Sequence, residues 1–453
     1  MKKLFGTDGM RGEAGQFPLN AETVKIIGAS LARQFSEKNG GKTPKFIIGR
    51  DTRESGAWLE AAFCAGTMSE GATIISAGVI TTPGVAFLTR DRKADAGVVI
   101  SASHNPFHDN GIKIFSPSGK KIDEATERRI ETDIETQKRT DAANNEQRTT
   151  NNEQRTTDEL REIYLNYLAS EFPRLSLTGL KMVVDCANGA ASGLAPNLFE
   201  RFGATVMAIF NQPDGKNINA DCGSLHLEKL QAKVAAEKAD FGVAYDGDAD
   251  RALFVDEKGN IVDGDATLWA MALHLRSRGA LAKNLVVATV MSNLGLEIAL
   301  KGEKIELIRT AVGDKYVLDK LLETGAVIGG EQSGHIIFPQ KSLVGDGMLT
   351  TLALLDAMKK NAATLSELTN GFVRYPQILV NVRVREKVPF EDVPEICAEV
   401  ETIETALGER GRLLLRYSGT EPLARVMIEG EKQDEINRQA NDLAKIIREK
   451  LAD

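Results

Sequence analysis

The feature that most constrains the fold of this chain is a pattern that recurs along it. A short apolar run is followed by a loop rich in glycine and polar residues, and then by a stretch with helical spacing. The pattern is clearest at residues 45–71, 181–203 and 284–302. Strands that alternate with helices form parallel or mixed sheets covered by helices. The sequence therefore predicts an α/β protein, with ligands at the carboxyl ends of the strands.

The end of the chain follows a different pattern. Residues 375–386 and 412–431 resemble strands, and residues 434–453 form one charged amphipathic pattern with helical spacing. Strands and helices that are segregated in this way favour a smaller α+β domain from about residue 372 onward.

A polar repeat separates two helical patterns. The sequence NNEQRTT at residues 144–150 is repeated without change at residues 151–157. Because the repeat contains no apolar residue that could be buried, it predicts a mobile linker between domains. A motif that binds a partner is the less favoured alternative.

Composition excludes several classes of protein. The chain has 453 residues and a net charge of -8, which argues against nucleic acid or an anionic membrane as the main partner. The four cysteines, which form no C-x-x-C pair, argue against a disulfide framework or a zinc site; they are Cys64, Cys186, Cys222 and Cys397. With no signal peptide or membrane span in the sequence, we expect a cytoplasmic protein.

The first loop that could carry chemistry follows the apolar run AGVVI at residues 96–100. It presents Ser101, Ser103 and His104 before an Asn-Pro turn. A serine in this position is either a nucleophile or a residue that caps a turn. For an isolated Ser-His pair, capping is the favoured interpretation.

The second loop places three aspartates on alternate positions after another strand-like run. Asp246, Asp248 and Asp250 suit a divalent cation with oxygen ligands, and three carboxylates this close repel one another without a cation. An EF-hand is rejected because Arg251 stands where the sharp turn needs glycine and the flanking runs resemble strands. A phosphatase loop with Asp246 as the phosphorylated nucleophile stays as a rival.

The third loop follows a double glycine and contains Glu331, Ser333 and His335. Carboxylate and hydroxyl groups suit sugar hydroxyls, and His335 could move a proton. An exposed hairpin would explain this loop equally well.

The fourth loop, RYSGTEPLAR, combines two guanidinium groups, two hydroxyls and a turn, which together suit an anion such as phosphate. Its residues are Arg416, Ser418, Gly419, Thr420 and Arg425. No P-loop motif occurs in the chain, which argues against a P-loop nucleotide.

Taken together, the loops resemble one family, the α-D-phosphohexomutases. FGTDGMRG at residues 5–12 is similar to the family's N-terminal signature. In the family's order, SASHNP is similar to the phosphoserine loop, DGDADR to the metal loop, GEQSGH to the sugar loop and RYSGTEP to the phosphate loop. Within the family, Gln332 and the ending GTEPLARVMIEG are most similar to members that act on glucosamine phosphates. Relatives that act on glucose or mannose phosphates usually carry Met in place of Gln332.

The resemblance implies three related α/β domains with mixed sheets and a C-terminal α+β domain around a central cleft. The domains would span residues 1–157, 158–256, 257–370 and 371–453. The resemblance also implies a phosphosugar substrate, and it is compatible with a homodimer.

The resemblance further implies roles for individual residues. Ser103 would carry the phosphoryl group and would bind Mg²⁺ together with Asp246, Asp248 and Asp250. Glu331 and Ser333 would bind sugar hydroxyls, and the fourth loop would bind the phosphate that does not react. Positive charge around the reacting group would come from Arg11, Arg50, Lys113 and Arg251. Lys113 and His335 are the candidates for general acid and base.

The implied reaction interconverts glucosamine 6-phosphate and glucosamine 1-phosphate through a bisphosphorylated intermediate, with a bisphosphorylated hexose or hexosamine as primer. The product would feed the synthesis of UDP-N-acetylglucosamine and the cell wall. The alternatives are a phosphomannomutase or phosphoglucomutase, an aspartate-nucleophile phosphatase, and a non-catalytic phosphosugar sensor. Two departures from many relatives are Lys315, where they carry Arg, and His108, where they carry Tyr.

Overall fold

The structure is a computed structural model that describes residues 3–136, 151–418 and 421–452. The chain divides into two compact units. The first comprises Met1–Met291 and Ile308–Asn370, and the second comprises Ser292–Leu307 and Gly371–Asp453. Among the described residues, no helix has the length and apolar character that crossing a bilayer requires.

The first sheet has six strands in the order β1-β2-β6-β5-β3-β4. Its strands are β1 (Phe5–Gly6), β2 (Gly9–Glu13), β3 (Lys45–Arg50), β4 (Thr73–Val79), β5 (Ala96–Ile100) and β6 (Asp109–Phe115). The helices of this region are α1 (Ala21–Lys38), α2 (Gly56–Ser69), α3 (Thr82–Asp91) and α4 (Glu124–Glu135). Strand β3 is parallel to β4 and β5, whereas β6 is antiparallel to β5 and β2. All five residues of β5 are buried, as expected for a central strand covered on both faces.

Helix α5 (Asn151–Ser170) corrects one prediction. The second copy of NNEQRTT, predicted to be part of a mobile linker, forms the beginning of this helix. Glu, Gln and Arg are good helix formers, so the amphipathic pattern that follows can extend back through them. The first copy lies outside the described residues.

The second sheet has five strands in the order β11-β10-β9-β7-β8. Its strands are β7 (Lys181–Asp185), β8 (Thr205–Ile209), β9 (Phe241–Tyr245), β10 (Ala252–Asp256) and β11 (Ile261–Val262), and its helices are α6 (Ala195–Arg201) and α7 (Glu228–Glu237). Strands β9 and β10 form an antiparallel hairpin in which Tyr245 pairs with Ala252. The three aspartates lie in the loop of this hairpin.

The third sheet has four strands in the order β13-β12-β14-β15. Its strands are β12 (Leu285–Thr289), β13 (Glu306–Thr310), β14 (Gly329–Gly330) and β15 (Ile336–Ile337). The helices in this part of the chain are α8 (Gly264–Ser277), α9 (Leu294–Gly302), α10 (Asp314–Thr324), α11 (Gly347–Asn361) and α12 (Leu365–Leu368). Strands β14 and β15 flank the third loop, which contains Glu331, Ser333 and His335.

The last sheet is antiparallel, in the order β16-β18-β17. Its strands are β16 (Gln377–Arg383), β17 (Gly411–Tyr417) and β18 (Leu423–Gly430), and its helices are α13 (Pro394–Leu407) and α14 (Gln433–Leu451). Helix α14 packs one apolar face on this sheet through Ile436, Ala440, Leu443 and Ile447. The predicted combination of mixed α/β sheets and a C-terminal α+β region is confirmed.

Candidate active site

Ser103 stands where strand β5 ends and the chain turns sharply. Its side chain is buried, and its φ of 53° lies in the left-handed region that few residues other than glycine adopt. The Ser103 N–H donates to Ser101 Oγ at 2.9 Å, and Ser101 Oγ donates in turn to Asp51 Oδ2 at 2.6 Å. Ser101 therefore supports the loop, whereas Ser103 is the serine presented to other groups.

The group presented to Ser103 is the aspartate loop between β9 and β10. Ser103 Oγ donates to Asp246 Oδ2 at 2.5 Å. A Cβ atom on Gly247 would lie 2.5 Å from the Ser103 carbonyl oxygen, so this close approach of the two loops requires glycine. The structure thus brings together two loops that are separated by more than a hundred residues in the sequence.

The three aspartates of this loop fit a divalent cation. Asp246, Asp248 and Asp250 are buried, and each offers a carboxylate oxygen within 4.8 Å of the others. Burial and the charges of Asp250 and Asp248 raise the pKa of Asp246 well above its usual value. Oδ1 of Asp248 and Oδ1 of Asp250 are buried and make no hydrogen bond to any described residue. Unsatisfied carboxylate oxygens are suitable ligands for a hard cation such as Mg²⁺.

Lys113 reaches the same cluster from strand β6. Its Nζ lies 2.8 Å from Asp248 Oδ2, 3.1 Å from Asp250 Oδ2 and 3.0 Å from Asp8 Oδ2. Burial lowers the pKa of Lys113, but the charges of these three carboxylates outweigh burial and raise it well above its usual value. Lys113 is therefore an ammonium ion, whose charge can neutralise charge on a phosphate.

Two arginines flank the Ser103 loop. Arg11 pairs with Asp8 and donates through Nη1 to Asn105 Oδ1 at 3.3 Å. Arg251 has its Nε 3.9 Å from Asp250 Oδ1. Burial lowers the pKa of Arg251, but the charges of Asp250 and Asp246 outweigh it and raise that pKa. Both guanidinium groups lie close to the residues that would surround a phosphoryl group on Ser103.

Arg50 lies elsewhere. Its Nε donates to Glu60 Oε2 at 3.0 Å, so the expectation that it adds charge around the reacting group is not met by its contacts. Arg53, three residues later, contacts the Ser103 loop instead, because its Nη2 donates to the Ser103 carbonyl oxygen at 2.9 Å. The conformation of the turn after strand β3 therefore directs Arg53, and not Arg50, toward the Ser103 loop.

The third loop packs against the aspartate loop. Ser333 Oγ donates to Glu331 Oε2 at 3.3 Å, and the Gly313 N–H donates to Glu331 Oε1 at 3.1 Å. His335 Nδ1 lies 3.7 Å from Asp250 Oδ1. Glu331, Ser333 and His335 are therefore on the same side of the first unit as the aspartate cluster.

Two influences on His335 oppose each other. Burial disfavours the imidazolium ion, yet the interaction of the ring with the charged carboxylate of Asp250 raises the pKa of His335 to about 9. The Gly345 N–H donates to Nε2 at 2.9 Å, and a proton on Nε2 would place two N–H groups against each other. The backbone contact thus favours a neutral ring with its proton on Nδ1.

The fourth loop lies in the second unit. Arg416 on β17 and Arg425 on β18 are directly opposite in the register of the sheet. Burial and the charge of Arg425 lower the pKa of Arg416. Ser418 Oγ accepts from Arg425 Nη2 at 3.4 Å, and Lys387 Nζ donates to the Ser418 carbonyl oxygen at 2.6 Å. These adjacent cations suit an anion; two further residues predicted for this role, Gly419 and Thr420, lie outside the described residues.

Sequence reasoning missed Asp8, Arg53 and Lys387, and it missed Asn219, whose Nδ2 donates to the Ser103 carbonyl oxygen. Asp8 accepts from Lys121 Nζ and pairs with Lys113, although the motif FGTDGMRG had been singled out. Arg53 lies in GRDTR three residues after Arg50, and Lys387 lies in a loop at the end of a strand with no recognisable motif. A charged residue within a quoted motif was the signal available for Asp8 and Arg53.

Comparison with protein families gives four matches in order along the chain. Phosphoglucomutase/phosphomannomutase alpha/beta/alpha domains I, II and III match residues 2–141, 162–259 and 263–375, and the C-terminal domain of the same family matches residues 379–446. These four matches together cover most of the chain.

Individual relatives agree with this result. The phosphoglucosamine mutases of Solibacter usitatus and Caldicellulosiruptor bescii are each 48% identical, over the whole of this chain and the whole of each relative. A phosphoglucomutase/phosphomannomutase family protein from Burkholderia thailandensis superimposes with a TM-score of 0.79 at 25% identity, covering 99% of this chain and 98% of that chain. N-acetylphosphoglucosamine mutase of Aspergillus fumigatus, solved with GlcNAc-6P and magnesium, shares the fold with a TM-score of 0.67 at 20% identity, covering 99% and 96%.

Proposed function

Because this chain belongs to the phosphoglucomutase/phosphomannomutase family, we propose that it acts as a phosphoglucosamine mutase. It interconverts glucosamine 6-phosphate and glucosamine 1-phosphate through a phosphoserine and a bisphosphorylated sugar. The observation that carries the proposal is the hydroxyl of Ser103, buried and 2.5 Å from Asp246 in a cluster of three carboxylates. Relatives at 48% identity over the whole chain support glucosamine phosphate as the substrate.

The reaction consists of two phosphoryl transfers. In the first, the bond between Ser103 Oγ and phosphorus breaks while a sugar hydroxyl oxygen forms a new bond to that phosphorus. The proton of the sugar hydroxyl passes to a base, for which His335 is the candidate. Ser103 Oγ takes up a proton as it departs, and Lys113, held as an ammonium ion, is the candidate donor. In the second transfer the other phosphoryl group of the bisphosphate is transferred to Ser103 Oγ. The proton of the Ser103 hydroxyl returns to Lys113, and His335 gives its proton to the departing sugar oxygen.

Phosphoryl transfer requires in-line positioning and compensation of charge rather than new covalent chemistry from the protein. Lys113, Arg11 and Arg251 supply positive charge in the first unit. Mg²⁺ bound by Asp246, Asp248, Asp250 and an oxygen of the phosphorylated Ser103 would withdraw charge from the phosphoryl group.

The substrate-binding roles follow from the chemistry of the side chains. Glu331 and Ser333 bind sugar hydroxyls, because one accepts and the other both donates and accepts hydrogen bonds. Arg416, Ser418, Gly419, Thr420 and Arg425 bind the phosphate that does not react. The opposed guanidinium groups of Arg416 and Arg425 support this assignment, since an anion would relieve their repulsion.

Turnover tests the proposal directly. Purified protein with Mg²⁺, a bisphosphorylated hexose primer and glucosamine 6-phosphate should form glucosamine 1-phosphate, and peptide mass spectrometry should find phosphate on Ser103. Phosphate on Asp246 would instead indicate an aspartate-nucleophile phosphatase. Binding without conversion would indicate a phosphosugar sensor, and faster conversion of glucose or mannose 6-phosphate would indicate a phosphoglucomutase or phosphomannomutase.

The proposal also covers the cellular location of the enzyme and its oligomeric state. We place the enzyme in the cytoplasm and allow for a homodimer. Cell fractionation and light scattering of the purified protein test these two statements, and recovery in a membrane or periplasmic fraction would contradict the first.

A further inference from the structure

Side-chain donors from two different domains meet at the carbonyl oxygens of Ser103 and Asn105. Arg53 Nη2 lies 2.9 Å from the Ser103 oxygen and 2.8 Å from the Asn105 oxygen. Asn219 Nδ2 lies 2.9 Å and 3.1 Å from the same two oxygens. We propose that Arg53 and Asn219 are positioning residues that hold the backbone of the phosphoryl-carrying serine in place for both transfers. We call Arg53 and Asn219 the carbonyl clamp. This inference rests on the proposed function.

The backbone of Ser103 needs such support because it is strained. A φ of 53° is unfavourable for a residue with a Cβ and persists only where the surroundings enforce it. The clamp fixes the Ser103 carbonyl group, while Ser101 Oγ accepts from the Ser103 N–H at 2.9 Å. With the peptide groups on both sides fixed, Ser103 Oγ is directed at Asp246. Loss of either donor would allow the loop to relax and would move Oγ.

The two donors are themselves fixed by their surroundings. The side chain of Arg53 is buried, and its Nε pairs with Asp51 Oδ2 at 2.9 Å. The Asn219 N–H donates to the Ala187 carbonyl oxygen at 2.9 Å, which ties its loop to the end of strand β7. A side chain that is held in this way can transmit the geometry of its own domain to the loop it contacts.

The loops that carry the clamp are also joined to each other. Thr52 Oγ1 donates to the Asn188 carbonyl oxygen at 2.6 Å, and the Glu54 N–H donates to the Gly215 carbonyl oxygen at 2.9 Å. The loop after β3 and the loops that follow β7 and β8 therefore form one brace behind Ser103. Residues of two domains therefore position Ser103, and the residue types in the Ser103 loop alone do not predict this.

The clamp differs in kind from the cations that would face the phosphate. The contacts of Arg53 are backbone carbonyl oxygens and Asp51, whereas Arg11 contacts the side chains of Asp8 and Asn105. Carbonyl oxygens are acceptors whether or not Ser103 is phosphorylated. The clamp can therefore remain closed in both forms of the enzyme, so it acts on the position of Oγ rather than on the charge of the phosphoryl group.

The experiment compares three variants of the full-length protein. Asn219→Ala removes one donor, and Arg53→Lys keeps the charge beside Asp51 but cannot reach several carbonyl oxygens at once. Asn217→Ala is the matched control, because Asn217 Nδ2, in the same loop, donates to the Gln212 carbonyl oxygen and not to the Ser103 loop. We expect kcat to fall about 100-fold in the first two variants, the effect of a small misplacement of a reacting group. We expect KM for glucosamine 6-phosphate to be unchanged, because the sugar contacts are intact.

Two readouts separate positioning from general stability. After loading with a bisphosphorylated hexose, the phosphorus NMR resonance of phosphoserine should shift in Asn219→Ala and Arg53→Lys but not in Asn217→Ala. Hydrogen exchange should increase in the peptide that contains Ser103, while the melting temperature stays close to that of the parent protein. The proposal is overturned if Asn219→Ala keeps the parent kcat. It is also overturned if Asn217→Ala shows the same fall in kcat and the same shift of the phosphoserine resonance as Asn219→Ala.

The same experiment distinguishes failure of the clamp from failure of the proposed function. If the parent protein accepts phosphate on Ser103 but converts no glucosamine 6-phosphate, the proposed substrate is wrong. The resonance and hydrogen exchange of the variants then still test the clamp, because neither measurement requires that substrate.

Discussion

The Ser103 loop and the Arg416–Arg425 strand pair are both proposed to handle phosphate, yet they are built differently. Ser103 and Asp246 are buried, and the groups around them are connected by short hydrogen bonds and ion pairs. Arg416 and Arg425 are partly exposed and place two like charges opposite each other. Nε of Arg425 makes no hydrogen bond to any residue that the structure describes. The first region is organised in the absence of substrate, and we propose that the second is completed by an anion.

This difference follows from the two tasks. A phosphoryl group in transfer requires fixed, in-line geometry, and preorganised charge is worth most in a buried environment. A phosphate that is only held requires matching charge and hydrogen-bond donors, which guanidinium groups supply in several orientations. In the proposed mechanism the held phosphate lies at opposite ends of the sugar in the two half-reactions, so a tolerant site suits it better than a rigid one.

We expect the largest effect from a substitution at the centre of the preorganised region, at Ser103. Ser103→Ala removes the oxygen that we propose accepts the phosphoryl group, and we expect turnover to fall by about 10⁴-fold or more, as for other lost nucleophiles. Peptide mass spectrometry should find no phosphate after incubation with the bisphosphate primer. Ser118→Ala, at a serine in an exposed turn, is the control. Turnover by the Ser103→Ala variant at the parent rate would eliminate the phosphoserine mechanism.

How much the sequence predicted can be seen by comparing the same two regions. The loops themselves were found, because each follows an apolar strand and contains residue types suited to one chemistry. The partners of Ser103 were found less well. Asn219 is 116 residues away in sequence from Ser103, and only the packing of two domains brings it to that loop. The sequence predicts a role for Arg50 and none for Arg53, because the turn that brings Arg53 to the Ser103 loop cannot be deduced from residue types alone.

The second prediction tests the carboxylate cluster. Asp248→Asn removes one charge beside Lys113 and Thr82. We expect activity at limiting Mg²⁺ to fall about 10²- to 10³-fold, as when one preorganised group that stabilises charge is removed from an active site. Higher Mg²⁺ should restore part of the activity, because the remaining carboxylates still bind the ion. Asp240→Asn, an exposed aspartate of the same domain, is the control. An unchanged Mg²⁺ dependence would argue against Asp248 as a ligand.

The third prediction addresses the strand pair. Arg425→Ala should raise KM for glucosamine 6-phosphate about 10- to 100-fold, since a charged hydrogen bond contributes about 1.5–3 kcal/mol. Removing one of two opposed cations should leave the melting temperature of the protein without substrate unchanged or slightly higher.

Arg410→Ala, at an exposed arginine of the same unit, serves as the control for that variant. The comparison between the two regions fails if Arg425→Ala lowers kcat as strongly as Ser103→Ala does. The comparison is supported if added inorganic phosphate raises the melting temperature of the parent protein more than that of the Arg425→Ala variant.

The smallest expected effect concerns the choice of sugar. Gln332 Nε2 is buried and has no hydrogen-bond partner among the described residues, so the capacity of its carboxamide to donate a hydrogen bond is unused in the structure. Gln332→Met replaces this group with a thioether that cannot form a comparable hydrogen bond. We expect the ratio of kcat/KM for glucosamine 6-phosphate to that for glucose 6-phosphate to fall about 10-fold, as when one neutral hydrogen bond is lost. Gln332→Glu should keep or increase the preference, because a carboxylate attracts the substrate's ammonium group. If both variants keep the parent ratio, the amino group is recognised elsewhere, and the third loop binds hydroxyl groups common to all hexose phosphates.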